Sequence, residues 1–369
     1  MQQKSIPERR ILMYHCLPSG GAKKLYNLNA EYLKKYYKVN KRSLSIQSNN
    51  FIQYLFNALI KVRKVEKRIA TWANNKCDLA IVYHSWYVKS PYILRYLRIP
   101  SIYICHEVQR EFHEHSHINQ QSLKNKIINF LRLPIKYADL SNINNSRLMA
   151  IVCNSHNSRK RISNIYGSDL RLEVIYPGID TSLYRSSKPR SINLISVGSI
   201  NSLKRQDFFV DVMSKLPNKT NITLTLVGNG GDQKYIDMIK KRASEKNIRV
   251  RILLNISSND LINEYSRSYL YLYAPIDEPF GISVLEAMAA GLPIICYSKG
   301  GGYVEILRNH NNGAIIDSLN PNTWAIKVNE FILDKKRWKK VSETNRVYVK
   351  NNFDQAIMNR KIYQLLKRI

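Results

Sequence analysis

Apolar, β-branched runs alternate with stretches of helical period along most of this chain. Five runs in the first half read as strands, at 11–17, 79–84, 101–106, 148–154 and 172–176. Six more follow at 192–197, 222–227, 248–254, 269–275, 293–297 and 314–316. Short, continuously apolar runs of this kind suit parallel strands covered on both faces. Between them lie helical patterns such as 204–216, where Phe208, Phe209, Val212, Met213 and Leu216 fall on one side. Strands alternating with helices predict an α/β protein with parallel sheets wound on both faces. Two such series, separated near 182–191, predict two Rossmann-like domains, 1–185 and 186–352, followed by an amphipathic segment at 353–369. Doubly wound sheets take ligands at the carboxyl ends of their strands, so two facing sheets would bury a ligand in a cleft between them.

The 369 residues suffice for two domains, and 44% hydrophobic content with 24 tyrosines excludes a disordered basic chain. Charge changes the picture more. The formal net charge is +31, with +19 before residue 186 and +12 after it, so both halves are basic. Such a field favours anionic partners, whether nucleic acid, phospholipid headgroups or phosphorylated substrates, unless the charge merely coats solvated faces. Zinc-finger spacing, helix-turn-helix cues and RNP-like aromatics are missing, which makes nucleic acid the poorer choice. The helical stretch 51–72 carries an apolar stripe of Leu55, Leu59, Val62, Ile69 and Trp72 opposite Lys61, Lys64, Lys67 and Arg68. That pattern suits a core-facing helix with a solvated basic side, or one adsorbed on an anionic membrane surface. Cys16, Cys77, Cys105, Cys153 and Cys296 are scattered without metal or redox spacing, which fits a reducing compartment. The polar start, MQQKSIPERR, and a short apolar run after it argue against a signal peptide, and no run approaches the roughly 20 apolar residues of a membrane span. The expectation is a cytoplasmic protein.

Candidate chemistry sits just after predicted strands. Gly20-Gly21 follows the first strand and precedes a helix, where backbone N–H groups can approach a phosphate. Gly228-Asn229-Gly230-Gly231 repeats that logic, and both loops are equally readable as plain turns. After Gly198, Lys204 and Arg205 stand at the start of the next helix. Cations there oppose the helix dipole unless an anion is near. The densest segment is 275–291, in which Pro279 would open a helix and Gly291 would stop it. Glu278 and Glu286 are then about two turns apart on one face, and the N–H groups of Phe280, Gly281, Ile282 and Ser283 would face an anion. His106 ends a predicted strand, as His15 and His84 do, and reads either as a strand-end cap or as a cleft group. His113-Glu114-His115-Ser116-His117 matches H-E-x-x-H literally, but lacks a third-ligand motif and apolar periodicity, so it reads as a polar loop.

The segment Glu278-Pro-Phe-Gly-Ile-Ser-Val-Leu-Glu286-Ala-Met-Ala-Ala-Gly resembles the signature of the retaining glycosyltransferases of family 4, group 1. Looser matches run through the chain in order: Gly20-Gly21, His106, Asn154-Ser155, Tyr176-Pro-Gly-Ile-Asp180, Gly198 with Lys204, Val227-Gly228, Gly301-Gly302 and Asn312-Gly313. The resemblance implies a GT-B fold with the donor site in the second domain, and a final helix that crosses back to the first. It implies transfer of a hexosyl group from a nucleotide-diphosphate sugar to a hydroxyl of a glycan, lipid-linked or other acceptor, without cofactor or metal. By the same resemblance Glu278 would hold donor-sugar hydroxyls and Glu286 the ribose. Phe280, Gly281, Ile282 and Ser283 would meet sugar and pyrophosphate through their backbone. Lys204 would neutralise the leaving pyrophosphate, Gly20 and Gly21 would close over the phosphates, and His106 would lie near the reacting sugar. Ser199 stands where the family commonly has arginine, and Arg205 stands where glycine is frequent, so Arg205 is the candidate replacement cation. Contact with the inner face of a membrane is part of the same expectation. The rival readings are a basic nucleic-acid- or membrane-binding protein on a degenerate scaffold of this fold, and a sugar-nucleotide epimerase.

Overall fold

The computed structural model describes residues 9–18, 20–113, 123–185, 191–217, 219–307 and 312–369. The chain forms two compact units, Met1–Pro177 with Met358–Ile369, and Gly178–Ile357. The first unit's boundary is therefore at Pro177 rather than 185, and the last stretch joins it from Met358 rather than 353. The cause is local: Ile179 and Asp354 form a parallel bridge, with Ile179 N–H donating to Phe353 O at 3.0 Å and Gln355 N–H donating to Ile179 O at 2.8 Å. Gly178 permits this approach, since a β-carbon there would lie 2.8 Å from the Gln355 backbone.

The first unit contains β1 (Arg10–Cys16), β2 (Lys38–Ser43), β3 (Leu79–Ser85), β4 (Ser101–Cys105), β5 (Leu148–Cys153) and β6 (Leu172–Val174). All pair in parallel, in the order β2-β1-β3-β4-β5-β6. The second contains β7 (Ile192–Val197), β8 (Ile222–Gly228), β9 (Arg249–Leu254), β10 (Leu270–Tyr273), β11 (Ile294–Tyr297) and β12 (Gly313–Ile316), in the order β12-β11-β10-β7-β8-β9. Every predicted strand is present. The pattern missed β2, whose sequence KVNKRS is polar and whose side chains are exposed or half-buried, as an edge strand allows. Central strands such as β3 are buried throughout, hence their continuous apolar runs.

Each strand order reverses at one place, between β1 and β3 in the first sheet and between β7 and β10 in the second. At such a switch point the connecting helices leave to opposite faces, and a crevice opens beyond the strand ends. This geometry selects the loops after β1, β3, β7 and β10 before any residue is considered.

Candidate active site

In the second unit, the loops after β7 and β10 meet at the switch point. Asn201 Oδ1 accepts from Leu203 N–H at 3.1 Å and starts a 3-10 turn, Ser202–Lys204. Arg205 then adopts φ 51°, so Lys204 lies outside the α-helix Gln206–Ser214 rather than within one helix from 204 to 216. The Lys204 stem lies alongside Gly198, where a β-carbon would make only an ordinary contact at 3.5 Å, and it is the φ of 157° that favours glycine there. Ile276 N–H donates to Leu203 O at 2.7 Å and joins the two loops. Across this joint the Lys204 ammonium is ion-paired with the Glu278 carboxylate, both side chains mostly buried.

Glu278 is not on a helix. Its backbone forms a bridge with Gly301: Glu278 N–H donates to Gly300 O at 2.7 Å, and Gly302 N–H donates to Glu278 O at 2.8 Å. A β-carbon on Gly301 would lie 2.1 Å from the Glu278 carbonyl oxygen, so the glycines after β11 exist to seat this residue. The helix begins at Ile282, with Gly281 as its cap at φ 87°, and Pro279 precedes it. The notion of two glutamates on one helical face thus fails: only Glu286 is helical. Phe280 is buried and anchors the turn. No side chain caps the helix Ile282–Ala289, which leaves first-turn N–H groups of Ile282 and Ser283 beside the Lys204–Glu278 pair for an anion.

Tyrosines hold the acidic groups, and the sequence reading passed over them. Tyr265 Oη donates to Glu286 Oε2 at 3.0 Å, and Tyr184 also hydrogen-bonds to Glu286. Tyr273 borders Glu278 and Ser283, and Tyr271 Oη donates to Ser283 Oγ at 2.7 Å. Burial, then the neighbouring carboxylate, raises the pKa of Tyr184 and of Tyr273, so both remain donors. The Arg205 guanidinium lies over the Tyr297 ring at 5.6 Å and approaches Ala274 O, at the carboxyl ends of β10 and β11. Ser199 is exposed. Gly228 and Gly231 are explained by packing: β-carbons there would meet the Gly198 and Ile200 backbones at 2.8 and 2.9 Å.

In the first unit, Gly20 caps the helix Gly21–Leu33 without a side-chain hydrogen bond, with open space where a β-carbon would be. His106 follows β4, its ring 5.2 Å from that of His84. Burial lowers the His106 pKa to about 4, so the ring is neutral at pH 7. Of the H-E-x-x-H segment, 114–117 lie outside the described residues. Among the described residues no cluster of three or more His, Cys, Asp or Glu is placed to hold a metal ion.

The sequence model described as glycosyl transferases group 1 matches residues 185–348, and that described as glycosyltransferase family 4 matches 26–183. Between them they account for most of the chain. It belongs to the family 4, group 1 glycosyltransferases. The chain is 24% identical over 202 residues to a D-inositol 3-phosphate glycosyltransferase of Nocardioides sp., covering 47% of this chain and 44% of that one. It is 27% identical over 169 residues to a GDP-Man:Man(3)GlcNAc(2)-PP-Dol alpha-1,2-mannosyltransferase of Caenorhabditis elegans, covering 43% and 36%. The chain spans about half the length, or less, of the curated relatives it matches. In structure it resembles HepE of Anabaena, solved with UDP, at TM-score 0.73 and 18% identity over 98% of this chain and 100% of that one. It also resembles a sucrose-phosphate synthase of Thermosynechococcus elongatus at TM-score 0.76 and 14% identity, over 98% and 99%. These likenesses show the GT-B fold.

Proposed function

We propose that this GT-B protein is a glycosyltransferase that moves a hexosyl group from a nucleotide-diphosphate sugar to an acceptor hydroxyl with retention of configuration. The observation that carries this reading is the Lys204–Glu278 pair at the β7/β10 switch point, beside an uncapped helix N-terminus. As the donor's anomeric C–O bond breaks, its electron pair goes to the pyrophosphate, and positive charge grows on the anomeric carbon. Lys204, Arg205 and the N–H groups of Ile282 and Ser283 meet the first charge, where preorganised donors are worth most. Glu278 exchanges its ion pair for hydroxyls of the sugar, and Glu286, oriented by Tyr184 and Tyr265, takes the ribose. The acceptor oxygen bonds to the anomeric carbon on the face of departure, and its proton passes to a leaving-group oxygen. By family resemblance we also assign Gly20, Gly21 and His106 to this reaction. Lys204 already supplies the cationic charge that a divalent ion would bring, so we propose that transfer runs without a metal.

The Caenorhabditis elegans relative is named for GDP-Man, and the structural neighbour HepE was solved with UDP, which leaves the base as the quantity to measure. Melting temperature read with UDP, GDP, ADP and their sugar conjugates should rise for one base alone. A ligand at 100 times its Kd adds about 2.7 kcal/mol to the native state. Lys204→Ala should then weaken the diphosphates more than the free nucleoside. No rise with any nucleotide would overturn the reading.

One further feature favours contact of the first unit with an anionic membrane surface. Ile52, Phe56 and Ile60 recur at four-residue spacing on an exposed helical face, Phe56 being 54% exposed. Lys61, Arg63, Lys64, Lys67 and Arg68, all exposed, continue the same helical stretch. Ile127, Phe130 and Leu131 are also exposed, on the helix Leu123–Leu131. Arg132, just after that helix, donates to Tyr54 Oη at 3.3 Å and so ties the two regions together. Exposed apolar side chains clustered with cations mark a surface that meets an apolar, negatively charged partner.

A further inference from the structure

At the carboxyl ends of β4 and β5 the first unit forms a partly open pocket with about 20 Å³ of space for water, more than the roughly 10–15 Å³ that one water needs. Most of its wall is apolar, from Leu25, Ile104, Val152 and Ile175, with Met358 and Ile362 contributed by the C-terminal helix. Pro177 and three polar side chains, Asn29, His106 and Asn154, complete the lining. Asn29 is 2% and Asn154 8% exposed. Asn29 Nδ2 donates to Tyr83 Oη at 2.6 Å, and Asn154 Nδ2 donates to His106 O at 2.9 Å. The second bond fixes the Asn154 amide, because a carbonyl only accepts, and in the first the Asn29 amide rests with Nδ2 on the Tyr83 hydroxyl. They leave Asn29 Oδ1, Asn154 Oδ1 and His106 Nε2 buried with no hydrogen-bond partner among the described residues. A buried polar atom without a partner keeps its full desolvation penalty, so three around one small pocket call for a common partner. Two amide oxygens only accept, which repels an anion. A neutral imidazole nitrogen is a donor or an acceptor according to where its one proton sits. A water donates twice and accepts once, and so satisfies all three.

We propose that one ordered water sits among Asn29, Asn154 and His106, donates to both amide oxygens, accepts from His106 Nε2–H, and so holds His106 in the Nε2–H tautomer. Nδ1 is then the lone-pair nitrogen, ready to accept a hydrogen bond from a hydroxyl. Asn29 and Asn154 are positioning residues that act on the ring through the water. Burial keeps His106 neutral, with its pKa near 4, and the same cause keeps the adjoining His84 neutral. His106 therefore carries one proton whose place decides what the ring offers. The use of that tautomer in sugar transfer rests on the function proposed above; the water and the tautomer do not.

Long-range ¹H–¹⁵N NMR of the full chain, labelled at histidine, reads the tautomer, and His106→Gln identifies the ring. The expected result is an Nε2–H pattern in the wild type that gives way to a tautomer mixture in Asn154→Leu. An Nδ1–H ring in the wild type, or an unchanged pattern in a folded Asn154→Leu, overturns the proposal. Should the leucine variant fail to fold, a high-resolution crystal structure of the wild type decides. Density for one water within hydrogen-bond reach of the three atoms supports it, and a cavity without that water overturns it. If the nucleotide panel fails while the NMR pattern is as expected, the function falls and the water stands. Transfer lost in Asn154→Leu with the tautomer unchanged would sink the water alone.

Discussion

Arg205 and Asp277 are both non-glycine residues in the left-handed region, at φ 51° and 50°, and they lie next to Lys204 and Glu278 in the chain. Left-handed backbone costs an L-residue roughly 1–2 kcal/mol, and such strain gathers where surrounding structure holds a functional group in place. The position of Arg205, where the family pattern has glycine, is thereby explained: the turn needs positive φ, and this chain accepts the strain and keeps a cation. Arg205→Gly is expected to leave stability unchanged or raise it by up to about 1.5 kcal/mol, since the relief is offset by about 0.5–1 kcal/mol of glycine chain entropy. Arg205→Ala keeps the strain and should be the less stable of the two. Both should weaken nucleotide-diphosphate binding alike, as isothermal titration would record. Glu278→Gln makes a sharper case. The carboxylate competes with pyrophosphate for the Lys204 ammonium, so its removal should tighten a nucleotide diphosphate about tenfold, the equivalent of about 1.4 kcal/mol. The same variant should abolish sugar transfer. Loss of both together would contradict a ligand-exchanged ion pair. Motif spacing singled out Lys204, Glu278 and Glu286 as candidates, but Tyr184, Tyr265 and Tyr273 approach the two glutamates only through tertiary contact, and no local pattern marks them.

At the scale of elements, the stretch 51–72 read as one helix because its apolar stripe has helical period. The structure divides it into Phe51–Phe56, a π-helical turn Asn57–Lys61, and Val62–Lys76. Asn57 is buried in that turn, its Nδ2 donating to Gln47 O at 3.2 Å and Ser48 Oγ at 2.9 Å. A π turn shifts the helical register without breaking the hydrophobic pattern, which is why periodicity alone did not reveal it. The same helix carries Glu66, fully buried within an otherwise charged run. Tyr14 Oη donates to Glu66 Oε1 at 2.7 Å and Ile93 N–H donates to Oε2 at 3.0 Å. Burial overrides these bonds and raises the Glu66 pKa from 4.5 to about 7. An acid whose native pKa lies above its unfolded value holds its proton more tightly when folded. Stability should therefore fall as pH rises from about 4.5 through 7, by on the order of 3 kcal/mol at 1.36 kcal/mol per unit. Asp139, likewise buried and raised to about 6, acts in the same direction. Glu66→Gln should flatten the decline in melting temperature across this range and stabilise the protein above pH 7. A slope identical to wild type would show that Glu66 is not the group responsible.

At the scale of the whole molecule, the sequence pattern carried the architecture far: all eleven predicted strands occur, and the two series form separate parallel sheets. Continuous apolar runs record burial on both faces, which is a property of the sheet rather than of any local turn. Charge was legible as a total for each half and as one basic stripe on the predicted helix 51–72, but not in its relation to exposed apolar side chains. Its placement became readable once the helices Phe51–Phe56 and Leu123–Leu131 were found to expose Ile52, Phe56, Ile127 and Phe130 beside Lys61, Lys64, Lys67 and Arg68. No described helix is long and apolar enough to cross a membrane. Exposed apolar side chains beside cations are the features by which such a surface would adsorb. Cations near an anionic leaflet contribute about 1 kcal/mol each, and salt screens them, whereas apolar contact is insensitive to salt. Co-sedimentation should thus detect binding to vesicles containing phosphatidylglycerol but little to pure phosphatidylcholine, and binding should weaken as salt rises. Phe56→Glu should reduce it at every salt concentration, because it removes apolar contact and adds a repelled charge. Lys64→Glu with Lys67→Glu should reduce it chiefly at low salt. Equal binding to both vesicle types would remove the electrostatic half of this account. Salt-sensitive binding to arbitrary duplex DNA with none to vesicles would assign the basic surface to nucleic acid instead.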